Sequence, residues 1–158
     1  MTSKPTTPIL KAQKFSISGE TDVAYAALGA KNFAKEIGFR EAEQYLIATA
    51  VSELARNIFV YAKLGVIHLN ALENNEKKGI EVVAEDSGPG ILDIDKAMTD
   101  SFSTGGTLGV GLPGTKRLMD DFQIDSTPDV GTKITVRKGQ VLFLVEIGEA
   151  CQSAEKAY

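Results

Sequence analysis

Four groups of residues have types and spacings that suit phosphate chemistry. Glu53 and Asn57 are four apart, the spacing that places two side chains on one helix face, with Thr49 and Arg56 nearby. A carboxylate beside an amide suits a general base next to an oxygen ligand for Mg2+. That ion takes oxygen donors and is held by few protein groups plus substrate phosphates. Asp86-Ser-Gly-Pro-Gly90 sets an acid at a strand end before two glycines. Such a carboxylate can accept a hydrogen bond from an exocyclic amino group such as that of adenine, and Gly88 and Gly90 let a flat base approach the backbone. Gly105-Gly-Thr-Leu-Gly-Val-Gly-Leu-Pro-Gly114 opens onto a predicted helix. Unpaired N–H groups and the positive dipole end at a helix N-terminus attract phosphates. Gly131-Thr132 precedes a strand and matters if Thr132 lies near Asp86.

Taken singly, each group also has a plain structural reading: a solvated helix face, a turn, a flexible surface loop, a strand start. Two familiar phosphate motifs fail on inspection. Gly109-x-Gly111-x-x-Gly114 matches the dinucleotide fingerprint as a string. That fingerprint needs a strand directly before it and an acidic residue about 20 positions later, whereas a long polar loop precedes it here. A P-loop needs Gly-Lys-Ser/Thr, and Gly114-Thr115-Lys116 inverts the last two.

The elements that must hold these groups can be read from hydrophobic period. Partial alternation over Lys11–Ser18 predicts an edge strand. Thr21 or Asp22 caps a helix to about Ile37, and Gly38 ends it. A second helix runs from about Arg40 to Lys63, with an apolar stripe through Leu46, Ala50, Leu54 and Ile58. Val66–Leu72 alternates, with Ile67, Leu69 and Ala71 on one face and Val66, His68 and Asn70 on the other. It forms a hairpin with Ile80–Ala84. A short helix is expected over Asp93–Asp100, a loop over Ser101–Gly114 and a helix over Leu112–Phe122, with Pro113 in its first turn. Ile124–Ser126, Lys133–Arg137 and Val141–Ile147 read as strands. Helices first and hairpins later predict an α+β fold, a two-layer α/β sandwich with helices on one face of a mixed, mainly antiparallel sheet.

Composition bounds the function. The 158 residues, 43% hydrophobic, suffice for one domain with a core of its own. A net charge of -4 argues against general affinity for nucleic acid or anionic membrane, although Lys116 and Arg117 form a local basic patch. Cys151 is the single cysteine, so no intrachain disulfide forms and a reducing compartment is expected. With neither a long apolar run nor a signal-peptide pattern, the expected location is the cytoplasm.

In this order the four groups resemble the motifs of the GHKL (Bergerat-fold) ATPases, the family of gyrase, Hsp90, MutL and histidine kinases. Glu53 to Asn57 is similar to the N box, Asp86-x-Gly88-x-Gly90 to the first glycine box, Gly109-x-Gly111 to the lid box and Gly131-Thr132 to the closing motif. The likeness spans about residues 10–138, between a loose arm at 1–9 and an extension at 139–158 that it does not reach. It implies that Asp86 reads adenine directly and Thr132 through water, that Asn57 ligates Mg2+ and that Glu53 is the general base. It also implies that Gly105, Gly106, Thr107, Leu108, Gly109, Val110, Gly111 and Leu112, with Lys116, surround the phosphates of ATP.

Within the family, Glu53-Leu-Ala-Arg-Asn57 and Gly109-Val-Gly-Leu-Pro-Gly-Thr-Lys-Arg-Leu-Met119 resemble segments of the small serine kinases that regulate bacterial stress responses. The resemblance implies phosphorylation of Ser or Thr on STAS-domain scaffold or antagonist proteins of a stressosome. It also implies activation of a downstream partner on release, such as a PP2C-type phosphatase. The alternatives are an anti-sigma sequestering module and an ATPase without a protein substrate. His68 falls in a predicted strand, where it reads as half-buried structure rather than a phosphoacceptor. A dimerisation hairpin or transducer domain would need length that the chain does not have to spare.

Overall fold

Alternating apolar residues make one face of a sheet that must be covered, and two helices with apolar stripes cover it. The computed structural model of the protein describes residues 9–74, 77–99 and 111–140. In chain order these are β1 (Ile9–Ile17), α1 (Glu20–Glu36), α2 (Glu41–Asn57), β2 (Gly65–Asn74), β3 (Lys77–Asp86), α3 (Ile94–Ala97), α4 (Gly111–Leu118), β4 (Asp121–Thr127) and β5 (Gly131–Gly139). A π-helical turn, Ile58–Ala62, continues α2 directly. The strands form one sheet in the order β1-β2-β3-β5-β4, and every pairing among them is antiparallel. The α+β sandwich expected from the pattern is the fold observed.

The strand alternation sets the layers. Ile67, Leu69 and Ala71 of β2, Ile80, Val82 and Ala84 of β3, and Ile134 and Val136 of β5 are buried. They join Val23, Ala26, Ala30 and Phe33 of α1 and Ile47, Ala50, Val51 and Leu54 of α2 in a single core. Each large side chain buried there contributes about 1.5–3 kcal/mol. Helix propensity differs by well under about 1 kcal/mol per ordinary residue, so packing rather than propensity seats the helices. The other face of the sheet carries Val66, His68 and Asn70, with ion pairs from Arg137 to Glu81 and from Lys133 to Glu85. His68 is half-buried there.

Several boundaries differ from the sequence reading. β1 starts at Ile9 and the β2–β3 hairpin is longer at both ends, because backbone pairing continues past the last apolar residue. The second helix is α-helical only to Asn57. Lys63 then donates its N–H to the Ile58 carbonyl, and its positive φ of 69° ends the turn. Leu46 is 37% exposed, and the buried stripe runs instead through Ile47, Ala50, Val51, Leu54 and Ile58. α4 stops at Leu118, and Phe122 belongs to β4, where Phe122, Ile124 and Ser126 share the inner face. The strand expected at Val141–Ile147 lies outside the described residues. Among those described, no helix is long and apolar enough to cross a membrane.

The start of α1 is fastened by one carboxylate. Asp22 accepts hydrogen bonds from the Ser18 N–H at 2.9 Å, the Ser18 hydroxyl at 3.0 Å and the Gly19 N–H at 3.1 Å. These donors, the Ser18 N–H foremost, hold its carboxyl below the ordinary value of 3.8. A carboxylate depressed in the folded state stabilises the fold above its unfolded value, and that contribution is lost as pH falls through the folded value. Asp22→Asn should therefore be less stable than the parent to urea at pH 7. The gap should close as pH falls below the ordinary carboxylate range. A gap that stayed constant with pH would contradict this assignment.

Candidate nucleotide-binding site

The site assembles where α2 ends over the C-terminal end of β3. Ile58 and Leu54 are buried on the sheet side of α2, which leaves Glu53, Arg56 and Asn57 partly open on its flank. The Glu53 side chain is 13% exposed. Its Oε1 accepts from Arg56 Nη1 at 3.2 Å, and its Oε2 accepts from the Gly111 N–H at 3.3 Å. Asn57, the last residue of α2, is half-buried, and its side-chain amide has no hydrogen-bond partner among the described residues.

The π-helical turn carries the chain from Asn57 to the first glycine segment. A Cβ on Gly88 would stand 2.5 Å from the Cβ of Ala62, so only glycine admits this approach. Asp86 is the last residue of β3, and its Oδ1 accepts from the Gly88 N–H at 2.9 Å. Oδ2 has no protein donor among the described residues, which suits a carboxylate waiting for a ligand amino group. Gly90 lies against Thr127 at the end of β4.

Asp86 and Thr132 stand directly opposite each other in the β3–β5 register. Gly131 makes this possible, since a Cβ there would sit 2.1 Å from the Asp86 carbonyl oxygen and its φ is +151°. Thr132 is buried and its hydroxyl is 2.8 Å from that of Ser126, where either can donate. Ser126 also accepts from the Ile91 N–H at 2.8 Å. Sequence reasoning missed Ser126. The signal was the β4 alternation, which puts it on the inner face opposite Thr132.

Of the glycine-rich segment, Gly105, Gly106, Thr107, Leu108, Gly109 and Val110 lie outside the described residues. Gly111 opens α4 with a φ of +63°. Leu112 is buried in the core, so only its backbone faces the helix N-terminus, and Lys116 is exposed. Thr115, which the P-loop comparison had set aside, is buried and donates to the Gly111 carbonyl at 2.9 Å. A trough of about 720 Å³ crosses these strand ends, lined by Val66, Glu85 and Lys133 of the other face and also by Asp86, Gly131 and Thr132. It reaches the strand-end half of the site, while neither Glu53 nor Asn57 lines it.

A carboxylate on a helix, an acid and a threonine paired across strand ends, and a helix N-terminus whose first amide meets that carboxylate belong to a GHKL-like ATPase fold. The chain belongs to the histidine kinase-like ATPase domain family, whose profile matches residues 18–138. It is 50% identical over 122 residues to the serine/threonine-protein kinase RsbT of Bacillus subtilis (strain 168), a match that takes in 77% of this chain and 92% of that protein. It is 37% identical over 98 residues to the anti-sigma F factor of Thermoanaerobacter sp. (strain X514), covering 58% of this chain and 67% of that one. Among solved structures, the RsbU and RsbW domains of a Mycobacterium tuberculosis protein superpose with a TM-score of 0.56 at 16% identity, covering 82% of this chain and 32% of that one. The SiaB–SiaC complex of Pseudomonas aeruginosa gives 0.52 at 13% identity, covering 83% and 90%. At such identities these structures bear on the fold alone.

The Ser126 hydroxyl joins β4, the Ile91 backbone and Thr132. Ser126→Ala should strand the half-buried Ile91 N–H and cost about 1 kcal/mol, the low end of the penalty for a donor left unpaired. Urea unfolding measures it, and a loss under about 0.5 kcal/mol, the size of an ordinary surface change, would remove the residue from this role.

Proposed function

We propose that this protein is a serine/threonine protein kinase of a bacterial partner-switching module. The observation that carries this reading is the 3.3 Å contact between Glu53 Oε2 and the first amide of α4. Whatever phosphate the N-terminus of α4 holds then lies beside a carboxylate. The 50% identity to a serine/threonine kinase supports the same activity.

In this reading Asp86 accepts the adenine amino group at Oδ2, and Thr132 supports it through water. The α4 N-terminus and the glycine segment before it hold the phosphates. The acceptor hydroxyl attacks the γ-phosphorus and gives its proton to Glu53, while the bond from that phosphorus to the β–γ bridging oxygen breaks and ADP leaves. Such transfer depends mainly on positioning and electrostatics. Asn57 suits a Mg2+ site, because its side-chain amide oxygen is a suitable donor and is without a partner among the described residues. The ion would supply charge neutralisation on the phosphates.

The proposed acceptors are STAS-domain scaffold or antagonist proteins, and the proposed downstream partner is a PP2C-type phosphatase, with the whole module in the cytoplasm. The net charge of -4 supports partners other than nucleic acid or membrane. A second reading, sequestration of a sigma factor with ATP setting affinity, draws support from the anti-sigma F relatives.

The decisive experiment is transfer of labelled γ-phosphate from Mg-ATP to a STAS-domain protein of the same genome. Label should appear on Ser or Thr of that partner. Glu53→Ala should lower the rate by about 10²–10⁴-fold, the usual share of general base catalysis, and keep nucleotide binding. Stable capture of a sigma factor with no labelled partner would favour the second reading. Asp86→Asn should weaken ATP binding itself in calorimetry, and unchanged affinity would take Asp86 out of adenine recognition.

A further inference from the structure

A carboxylate on a helix flank can rotate about its last torsion, which is soft and roughly two-fold. Glu53 has that freedom removed at both oxygens. Arg56, one turn further along α2, takes Oε1 at 3.2 Å. That leaves Oε2 as the oxygen that meets the Gly111 N–H at 3.3 Å. The Arg56 side chain is 36% exposed, and an ion pair so open adds little to stability. Its geometric effect is larger, because the guanidinium holds one oxygen of the carboxylate and the helix amide the other.

We propose that Arg56 is the positioning residue for Glu53, deepening the kinase reading above, on which its catalytic consequence rests. Arg56 occupies one oxygen of the carboxylate and so directs the other at the place where the α4 N-terminus binds a phosphate. Oε2 is then the atom that receives the acceptor proton, and Oε1 stays engaged by Arg56. In the free protein the Gly111 N–H uses Oε2 as its acceptor. A phosphate oxygen taking that N–H would leave Oε2 to the incoming hydroxyl.

Two measurements test this, one of them independent of catalysis. In amide NMR spectra of the free protein, Arg56→Ala should move the Gly111 resonance nearly as far as Glu53→Gln does, and Arg56→Lys should move it less. A Gly111 resonance that responds to Glu53→Gln and ignores Arg56→Ala overturns the proposal, whatever the protein phosphorylates. In the transfer assay, Arg56→Ala should lower kcat about 10- to 100-fold, part of the base contribution, with KM for ATP within about twofold. Arg56→Lys should recover part of the loss. The double variant Glu53→Ala/Arg56→Ala should be no slower than Glu53→Ala alone, since a residue acting only through another gives no additional loss. Additive losses would mean that Arg56 acts on substrate or partner directly and would overturn the positioning role. If the parent protein transfers no phosphate yet the Gly111 resonance moves as described, the positioning stands and the kinase reading falls.

Discussion

The stripe of Ile47, Ala50, Val51, Leu54 and Ile58 pins α2 to the sheet, and the placement of every group in the site follows from that contact. A helix has one face to bury. Once that stripe is against β2 and β3, Glu53, Arg56 and Asn57 are set on the flank at a fixed height above the strand ends. Beyond Asn57 a π-helical turn brings Ala62 against Gly88, and such turns are often found at functional sites.

The second constraint is the β3–β5 pairing, which couples the two strand-end residues. Register puts Asp86 opposite Thr132, and strand alternation keeps both on the helix-covered face. Their neighbours Glu85 and Lys133 pair on the opposite face. Gly131 is required because the Asp86 carbonyl occupies the space a side chain would need. The strand-end pair Asp86 and Thr132 and the carboxylate Glu53 thus come from different layers, joined through one close approach between a helix extension and a glycine turn. α4 closes the arrangement by packing on α2 and presenting its first amide to Glu53.

Much of this was legible beforehand, for identifiable reasons. Period-2 alternation in Val66–Leu72 gave both faces of β2 correctly, because one face is buried and the other is not. Order and spacing of the four motif groups pointed to the family. Boundaries were less legible. The second helix looked continuous to Lys63, since α and π turns share residue preferences. Phe122 was assigned to a helix because an apolar residue after a helical run carries no mark of the turn at Met119–Asp120. Ser126 was missed because a serine in a strand shows its role only when its partner strand is known.

The amino-acid sequence by itself determined the chemistry available, the fold class and the family, since these rest on residue types, local period and order along the chain. Tertiary structure alone decided which groups meet. Thr132 faces Asp86 through a register between strands some 46 residues apart in sequence (132 less 86). Gly111 reaches Glu53 across 58 residues, and Leu112 goes to the core while Lys116 stays in solvent. Such contacts depend on how the layers stack and which side of each element is covered, and no local pattern records that.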